Sequence, residues 1–248
     1  MTLTETNKPK LKMATKTETV SEISDDVISA VGDDITIGNP VTTLAPIGSE
    51  ISGEFDTSDV TFPKLQIAQG VGPLSDSFDK GAIVLEGEHE IAPMAGDPLE
   101  FTVLRISKTF EENIPFGADE LPRIASTKAD VLALGGTTEW SNGEAPTFKA
   151  CADALICIKG KDKAIFPYEY NGENYAFATW KIKGVAYNRA AKPIITAASM
   201  YYREGLRTGS FMLSTEKAVF NGNTVACPRV VRGNANTEDF VVWLGEFS

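Results

Sequence analysis

The chain has 248 residues, of which 42% are apolar and 23% are charged, an ordinary composition for a globular protein with a buried core. Its 23 basic and 34 acidic side chains give a net charge of −11, which by itself opposes binding to nucleic acid or to an anionic membrane. No apolar run reaches the roughly 18 residues of a membrane span, and no secretory leader is recognisable. Three cysteines are too few for a disulfide framework, so we expect an intracellular protein without a membrane partner.

The first segment, residues 1–60, differs from the rest of the chain. It contains no Trp or Tyr and a single Phe, and its 4 basic and 11 acidic side chains give a charge of −7. Such a segment buries too little apolar surface to offset the entropy of ordering it. We therefore predict a disordered acidic N-terminal arm, followed by one domain over residues 61–248.

The first predicted elements of that domain are two strands and a helix. Residues 81–91 and 99–108 are rich in β-branched and alternating apolar side chains, and the segment between them, PMAGDP, is typical of a turn. We expect these two strands to form a hairpin. Residues 126–134 have the spacing of a short helix that Gly135 ends.

The second half of the domain continues with short strands. Residues 148–159 and 164–170 flank a charged turn and predict a second hairpin, and Asn171-Gly172 predicts a tight hairpin turn. Residues 190–204 are the best helix candidate, with Pro193 near the start. The remaining predicted strands are 176–185, 209–214, 215–220, 224–231 and 239–244, with another tight turn at Asn221-Gly222.

These elements predict a mainly β fold of about eight to ten short strands with one or two short helices. Because no alternation of strands with long helices occurs, parallel βαβ units are excluded and an antiparallel barrel or sandwich is favoured. An oligonucleotide-binding (OB)-like barrel with insertions is the natural candidate.

Catalytic and metal-binding patterns are weak in this sequence. The glycine-lysine loop that cradles phosphate and the dinucleotide fingerprint are both missing. The single histidine, His89, stands between Glu88 and Glu90, a pattern typical of a solvated strand face. Cys151 and Cys157 are separated by five residues, outside the usual spacing of zinc ligands, although a structural zinc site stays open as the alternative. We expect a protein that is not an enzyme and needs no cofactor.

One block, residues 180–232, combines positive charge with aromatic side chains. It contains nine basic and two acidic residues and six interleaved aromatic ones. Single-stranded nucleic acid binds to such surfaces, because cations follow the phosphates while exposed rings stack on bases. The candidate DNA-binding residues are Trp180, Lys181, Lys183, Tyr187, Arg189, Lys192, Tyr201, Tyr202, Arg203 and Arg207.

Three stretches carry a family resemblance: Pro63-Lys64-Leu65-Gln66-Ile67-Ala68-Gln69-Gly70, Gly81-Ala82-Ile83-Val84 and Glu112-Asn113-Ile114-Pro115-Phe116-Gly117. In order and layout they resemble a group of phage-encoded single-stranded DNA-binding proteins with an OB-type fold. The resemblance implies sequence-independent binding of single-stranded DNA during bacteriophage replication or recombination, in the cytoplasm of the infected bacterial host. It further implies phage replication or recombination proteins as partners, and leaves a homo-oligomer open.

A second class also fits this layout. Virion and assembly proteins, such as minor head or decoration components, combine β-rich domains with mobile arms. We keep this class as the alternative function.

Overall fold

The fold is mainly β and antiparallel in the residues that the computed structural model describes, which are 61–115, 119–220 and 222–247. This confirms the mainly β, antiparallel character that the sequence predicts, and the helices of this part are few and short, as predicted. The arm predicted over residues 1–60 lies outside the described residues.

A small sheet opens the described chain. It consists of β1 (Leu65–Ile67), β2 (Ile83–Leu85) and β3 (His89–Ala92), paired antiparallel in the order β1-β2-β3. The predicted hairpin of residues 81–91 with 99–108 is therefore wrong. Glu86 and Gly87 take positive φ angles of 59° and 78°, which turns the chain back after Leu85, so β2 pairs with β3 instead.

The large sheet in the described part has seven strands. Its main path is β10-β9-β4-β6-β8-β7, and the short β5 pairs with β4. The strands are β4 (Leu99–Glu112), β5 (Ile124–Ala125), β6 (Phe148–Gly160), β7 (Tyr168–Tyr170), β8 (Glu173–Lys183), β9 (Gly209–Phe220) and β10 (Asn223–Ala235). All of these pairings are antiparallel.

Two sequence expectations for these strands are corrected and one is confirmed. The predicted hairpin of residues 148–159 with 164–170 is wrong, because β6 pairs with β8 along its length. Residues 209–220 form one strand rather than two. The Asn171-Gly172 turn is confirmed: both residues have positive φ angles, 51° and 77°, as a tight hairpin requires, and they connect β7 to β8. The other predicted turn begins at Asn221, which lies outside the described residues.

A β-bulge divides β4 into two parts. Val103 pairs with Ile156 and Arg105 pairs with Leu155, so that Leu104 and Arg105 together oppose a single residue of β6. On both sides of the bulge, apolar side chains such as those of Val103 and Ile106 pack in the main core.

The main core lies between the large sheet, the small sheet and the second helix. Strand β1 links these parts: the Thr179 N–H donates to the Pro63 carbonyl over 2.9 Å, and Lys64 forms a parallel bridge with Thr179. Beyond the C-terminal end of β1, the Gln69 side chain forms two hydrogen bonds with the main chain of Ala226 in β10. In the described residues the strand ladders do not close into a barrel.

Three α-helices occur in the described residues. Helix α1 (Lys128–Ala133) confirms the helix predicted over 126–134, and Thr127 caps it through a capping box with Asp130. Helix α2 (Lys192–Met200) follows a π-helical turn over Tyr187–Ala191. The helix predicted over 190–204 is thus confirmed in its central part and ends earlier, at Met200.

The third helix, α3 (Glu238–Gly245), replaces the strand predicted over 239–244. The prediction is wrong because Phe240, Leu244 and Phe247 recur at helical spacing, and their side chains pack on one cluster of the large sheet. The Thr237 hydroxyl accepts a hydrogen bond from the Phe240 N–H and begins the helix.

Candidate nucleic-acid interface

The structure places five of the ten predicted DNA-binding residues on two surfaces, two in the core and three on neither surface. Lys181 and Lys183 line one surface, whereas Lys192, Tyr201 and Arg203 line another. The block that looks continuous in the sequence is therefore not one groove, because β8, α2, β9 and β10 place its parts at different positions in the fold.

Two of the predicted aromatic contacts are core residues. Trp180 is 3% exposed and meets Phe101 edge to face, with ring centroids 6.1 Å apart. Tyr202 is 8% exposed, and its hydroxyl donates to the Ser210 carbonyl over 3.0 Å. Because neither ring is accessible for stacking on a base, both residues are excluded from the candidate interface.

The first surface is a cleft of about 940 Å³ bordered by β1, β4, β6 and β8. Four cationic side chains line this basic cleft: Lys64, Arg105, Lys181 and Lys183. Among the described residues that line it, Asp153 is the single acidic one. The cleft thus has the excess positive charge that a phosphate chain requires, although the chain as a whole is acidic.

Strand geometry explains why these cations share one face. Lys181 and Lys183 alternate with the buried Trp180 and Ile182 on β8, so both lysines point away from the core. On β4, the bulge places Arg105 opposite Leu155, whose other neighbour is Thr179 of β8. Arg105 therefore reaches the same side of the sheet as the two lysines.

Glu111 lies beside this row of cations and binds two of them. Its Oε2 lies 2.5 Å from Lys181 Nζ and its Oε1 lies 2.7 Å from Lys183 Nζ. Partial burial raises the pKa of Glu111, but hydrogen bonds from the two lysines together outweigh it and leave the pKa below its usual value. Glu111 is thus ionised at neutral pH and neutralises part of the cleft.

The second surface centres on a stacked pair, Tyr201 and Arg232. The Arg232 guanidinium carbon lies 4.1 Å from the centroid of the Tyr201 ring, and this ring is 60% exposed. The pair borders two concavities of about 1,070 and 490 Å³. Arg203 lines the larger concavity and Lys192 the smaller one. We call this surface the Tyr201 ridge.

The other predicted contacts lie on neither surface. Arg189 forms an ion pair with Glu216. Tyr187 is half-buried, with Lys108 Nζ 6.0 Å from its ring centroid. Arg207 is half-buried, and its carbonyl accepts a hydrogen bond from the Asn236 side chain over 2.7 Å.

Sequence reasoning missed three cations of the two surfaces: Lys64, Arg105 and Arg232. Lys64 and Arg105 are far from β8 in the sequence, and they come next to it only through the bridge to Thr179 and the bulge in β4. Arg232 is within the basic block, but no local pattern indicates that it stacks on Tyr201.

The alternative sites weighed from the sequence find no support in the described residues. No cluster of three His, Cys, Asp or Glu side chains there is arranged to hold a metal ion. Cys151, Cys157 and Cys227 are free and buried, and burial raises the pKa of each thiol. His89 is exposed on β3.

Comparisons of the chain with protein-family models, curated proteins and solved structures found no match. None of the helices in the described ranges combines the length and apolar character of a membrane span.

Proposed function

We propose that the protein binds single-stranded DNA without sequence preference. The observation that carries this proposal is the basic cleft, in which Arg105 of β4, Lys181 and Lys183 of β8, and Lys64 immediately before β1 converge. Converging cations of this kind bind a phosphate backbone, and they do not read base edges.

The Tyr201 ridge supplies the second element of the proposal. An exposed tyrosine stacks on a base of any identity, and the adjacent Arg232 adds a cation to the platform. Lys192 and Arg203 stand on either side of the pair to bind flanking phosphates. In this proposal the cleft binds the backbone, and the ridge binds at least one base.

We also propose that the fold is of the OB type. Support comes from the position of β1: the chain at β1 contacts β8 through Thr179 and β10 through Gln69, and β1, β4, β6, β8, β9 and β10 all contribute side chains to the main core. The resemblance of residues 63–70 to phage single-stranded DNA-binding proteins supports a role in phage replication or recombination within the infected bacterium. The partners would be the replication or recombination proteins of the phage.

Fluorescence anisotropy of labelled oligo(dT) tests this function. We expect micromolar binding at about 50 mM salt and a marked loss of affinity at about 200 mM, because phosphate contacts release counterions. A hairpin duplex of equal charge should bind more weakly, since its bases cannot stack on Tyr201. If oligo(dT) does not bind at low salt, the proposed function is wrong.

A further inference from the structure

Glu111 holds an unusual position for a protein that binds an anion. Its carboxylate forms ion pairs with Lys181 and Lys183, two of the four cations of the basic cleft. The side chain is 11% exposed, whereas those of Lys181 and Lys183 are 42% and 60% exposed. The acidic group is thus the inner member of the triad, and the two lysines cover it.

We propose that the Glu111 carboxylate occupies the place of a phosphate in the free protein, and that the cost of displacing it prevents appreciable binding of single phosphates while a phosphodiester chain still binds. This inference rests on the proposed function and specifies the class of ligand that the same cleft accepts.

The selectivity follows from what each ligand gains when it displaces Glu111. A single phosphate that binds Lys181 and Lys183 exchanges one anion for another, so its net gain is small. A phosphodiester chain contacts Lys64 and Arg105 in the same event, and neither of these cations has an ion pair with a described residue. The chain therefore gains contacts that Glu111 does not already satisfy.

The neighbouring residue provides a matched control. Glu112 follows Glu111 on β4, so its side chain points to the other side of the strand, where it forms a bidentate pair with Arg123. The substitutions Glu111→Gln and Glu112→Gln change the net charge of the protein by the same amount. A difference between them therefore reports the local contact with the two lysines and not the overall charge.

The test measures binding of labelled oligo(dT), and of dTMP and inorganic phosphate as competitors, to the full-length protein. We expect Glu111→Gln to tighten oligo(dT) binding by about threefold to tenfold, as the loss of two competing ion pairs allows. Because dTMP and inorganic phosphate displace the same carboxylate, their binding should tighten by a similar factor and should then become detectable as competition. Glu112→Gln should bind all three ligands as the wild type does.

A second background separates competition from a purely structural role. In a protein with Lys181→Met and Lys183→Met, the Glu111→Gln substitution should no longer tighten binding, because no cation is released. Weaker oligo(dT) binding by Glu111→Gln would show that Glu111 positions the lysines. Equal gains in affinity for Glu111→Gln and Glu112→Gln would show a general charge effect. Either result overturns this inference and leaves the proposed function standing. If neither wild type nor Glu111→Gln binds oligo(dT), the proposed function fails together with it.

Discussion

The side-chain amide of Gln69 and the main chain of Ala226 exchange two hydrogen bonds. Gln69 Nε2 donates to the Ala226 carbonyl over 2.9 Å, and Gln69 Oε1 accepts from the Ala226 N–H over 3.1 Å. The amide thus presents to β10 the donor and acceptor that a neighbouring strand would present. These bonds fasten the chain after β1 to β10, the far edge of the large sheet.

Gln69→Leu should destabilise the domain. Leucine keeps most of the side-chain volume but leaves the N–H and carbonyl of Ala226 without these partners, and we expect a loss of about 1–3 kcal/mol in the free energy of unfolding. Urea denaturation measures this loss. Gln66→Leu, at an exposed position of β1, is the control and should leave the midpoint nearly unchanged. Equal midpoints for wild type and Gln69→Leu would show that the two bonds contribute nothing.

Replacing both cleft lysines of β8 should weaken the binding of single-stranded DNA, whatever the base sequence of the DNA. We expect Lys181→Met with Lys183→Met to lower oligo(dT) affinity and to reduce the slope of log K against log salt by about 0.7 for each lost phosphate contact. Anisotropy titrations at four salt concentrations measure both quantities. Lys161→Met with Lys163→Met removes the same charge from an exposed turn and should have a smaller effect. An unchanged slope in the β8 variant would place the DNA elsewhere.

Tyr201 should contribute through its ring and not through its hydroxyl. We expect Tyr201→Ala to weaken oligo(dT) binding by about 1–3 kcal/mol, the usual value of one stacked base, whereas Tyr201→Phe keeps nearly all of the affinity. Quenching of 2-aminopurine in the oligonucleotide reports the stacking directly. Loss of affinity in both variants would point to a hydroxyl contact and would contradict the ridge as a stacking platform.

The sequence was sufficient to predict those parts of the fold whose signals are local. The Asn171-Gly172 turn, helix α1 with its Thr127 cap and the mainly β character all depend on residues close together in the chain. The pairing of strands could not be predicted from local signals, because β4 pairs with β6 and β9, which lie about fifty and a hundred residues away in the sequence. Neighbouring strands in sequence were therefore joined into two hairpins that do not exist.

The candidate site was only partly predictable for the same reason. Composition identified a basic and aromatic block that contains Lys181 and Lys183, and both lysines lie in the cleft. Composition cannot distinguish an exposed ring from a buried one, so Trp180 was grouped with Tyr201 although one is 3% and the other 60% exposed. Arg105 joins the lysines only through a bulge that no local pattern marks.

Trp180 should matter for stability and not for binding. Because its ring is buried against Phe101, we expect Trp180→Ala to lower the free energy of unfolding by about 3–5 kcal/mol, as for other large-to-small core substitutions. Chemical denaturation followed by circular dichroism measures the change. Trp140→Ala, at a ring that is 71% exposed, should change stability by less than about 0.5 kcal/mol. If Trp180→Ala lowers the free energy of unfolding only slightly and weakens DNA binding, Trp180 belongs to the interface after all.

The Glu112–Arg123 pair should be visible in an acid titration. Hydrogen bonds from the Arg123 side chain and N–H lower the pKa of Glu112 from 4.5 to about 2. A lowered pKa in the folded state means that the ion pair stabilises the protein above pH 4.5 and that this contribution disappears as the pH falls toward 2. Carbon-detected NMR of the Glu112 carboxyl measures the pKa. In Arg123→Gln we expect the Glu112 pKa to return toward its ordinary value, and an unchanged pKa would exclude Arg123 as the cause.

The bulge at Leu104 has a consequence for how this chain tolerates changes in length. Because Leu104 and Arg105 oppose a single residue of β6, deletion of Leu104 leaves a regular ladder in which Arg105 still faces Leu155. Deletion of Ile106, two positions later, shifts every following residue of β4 to the opposite side and turns Glu111 away from its lysines. Two deletions of equal size at nearly the same place therefore differ in outcome. Deletion of Leu104 removes only the packing of that side chain, whereas deletion of Ile106 exchanges the two faces of the strand after it.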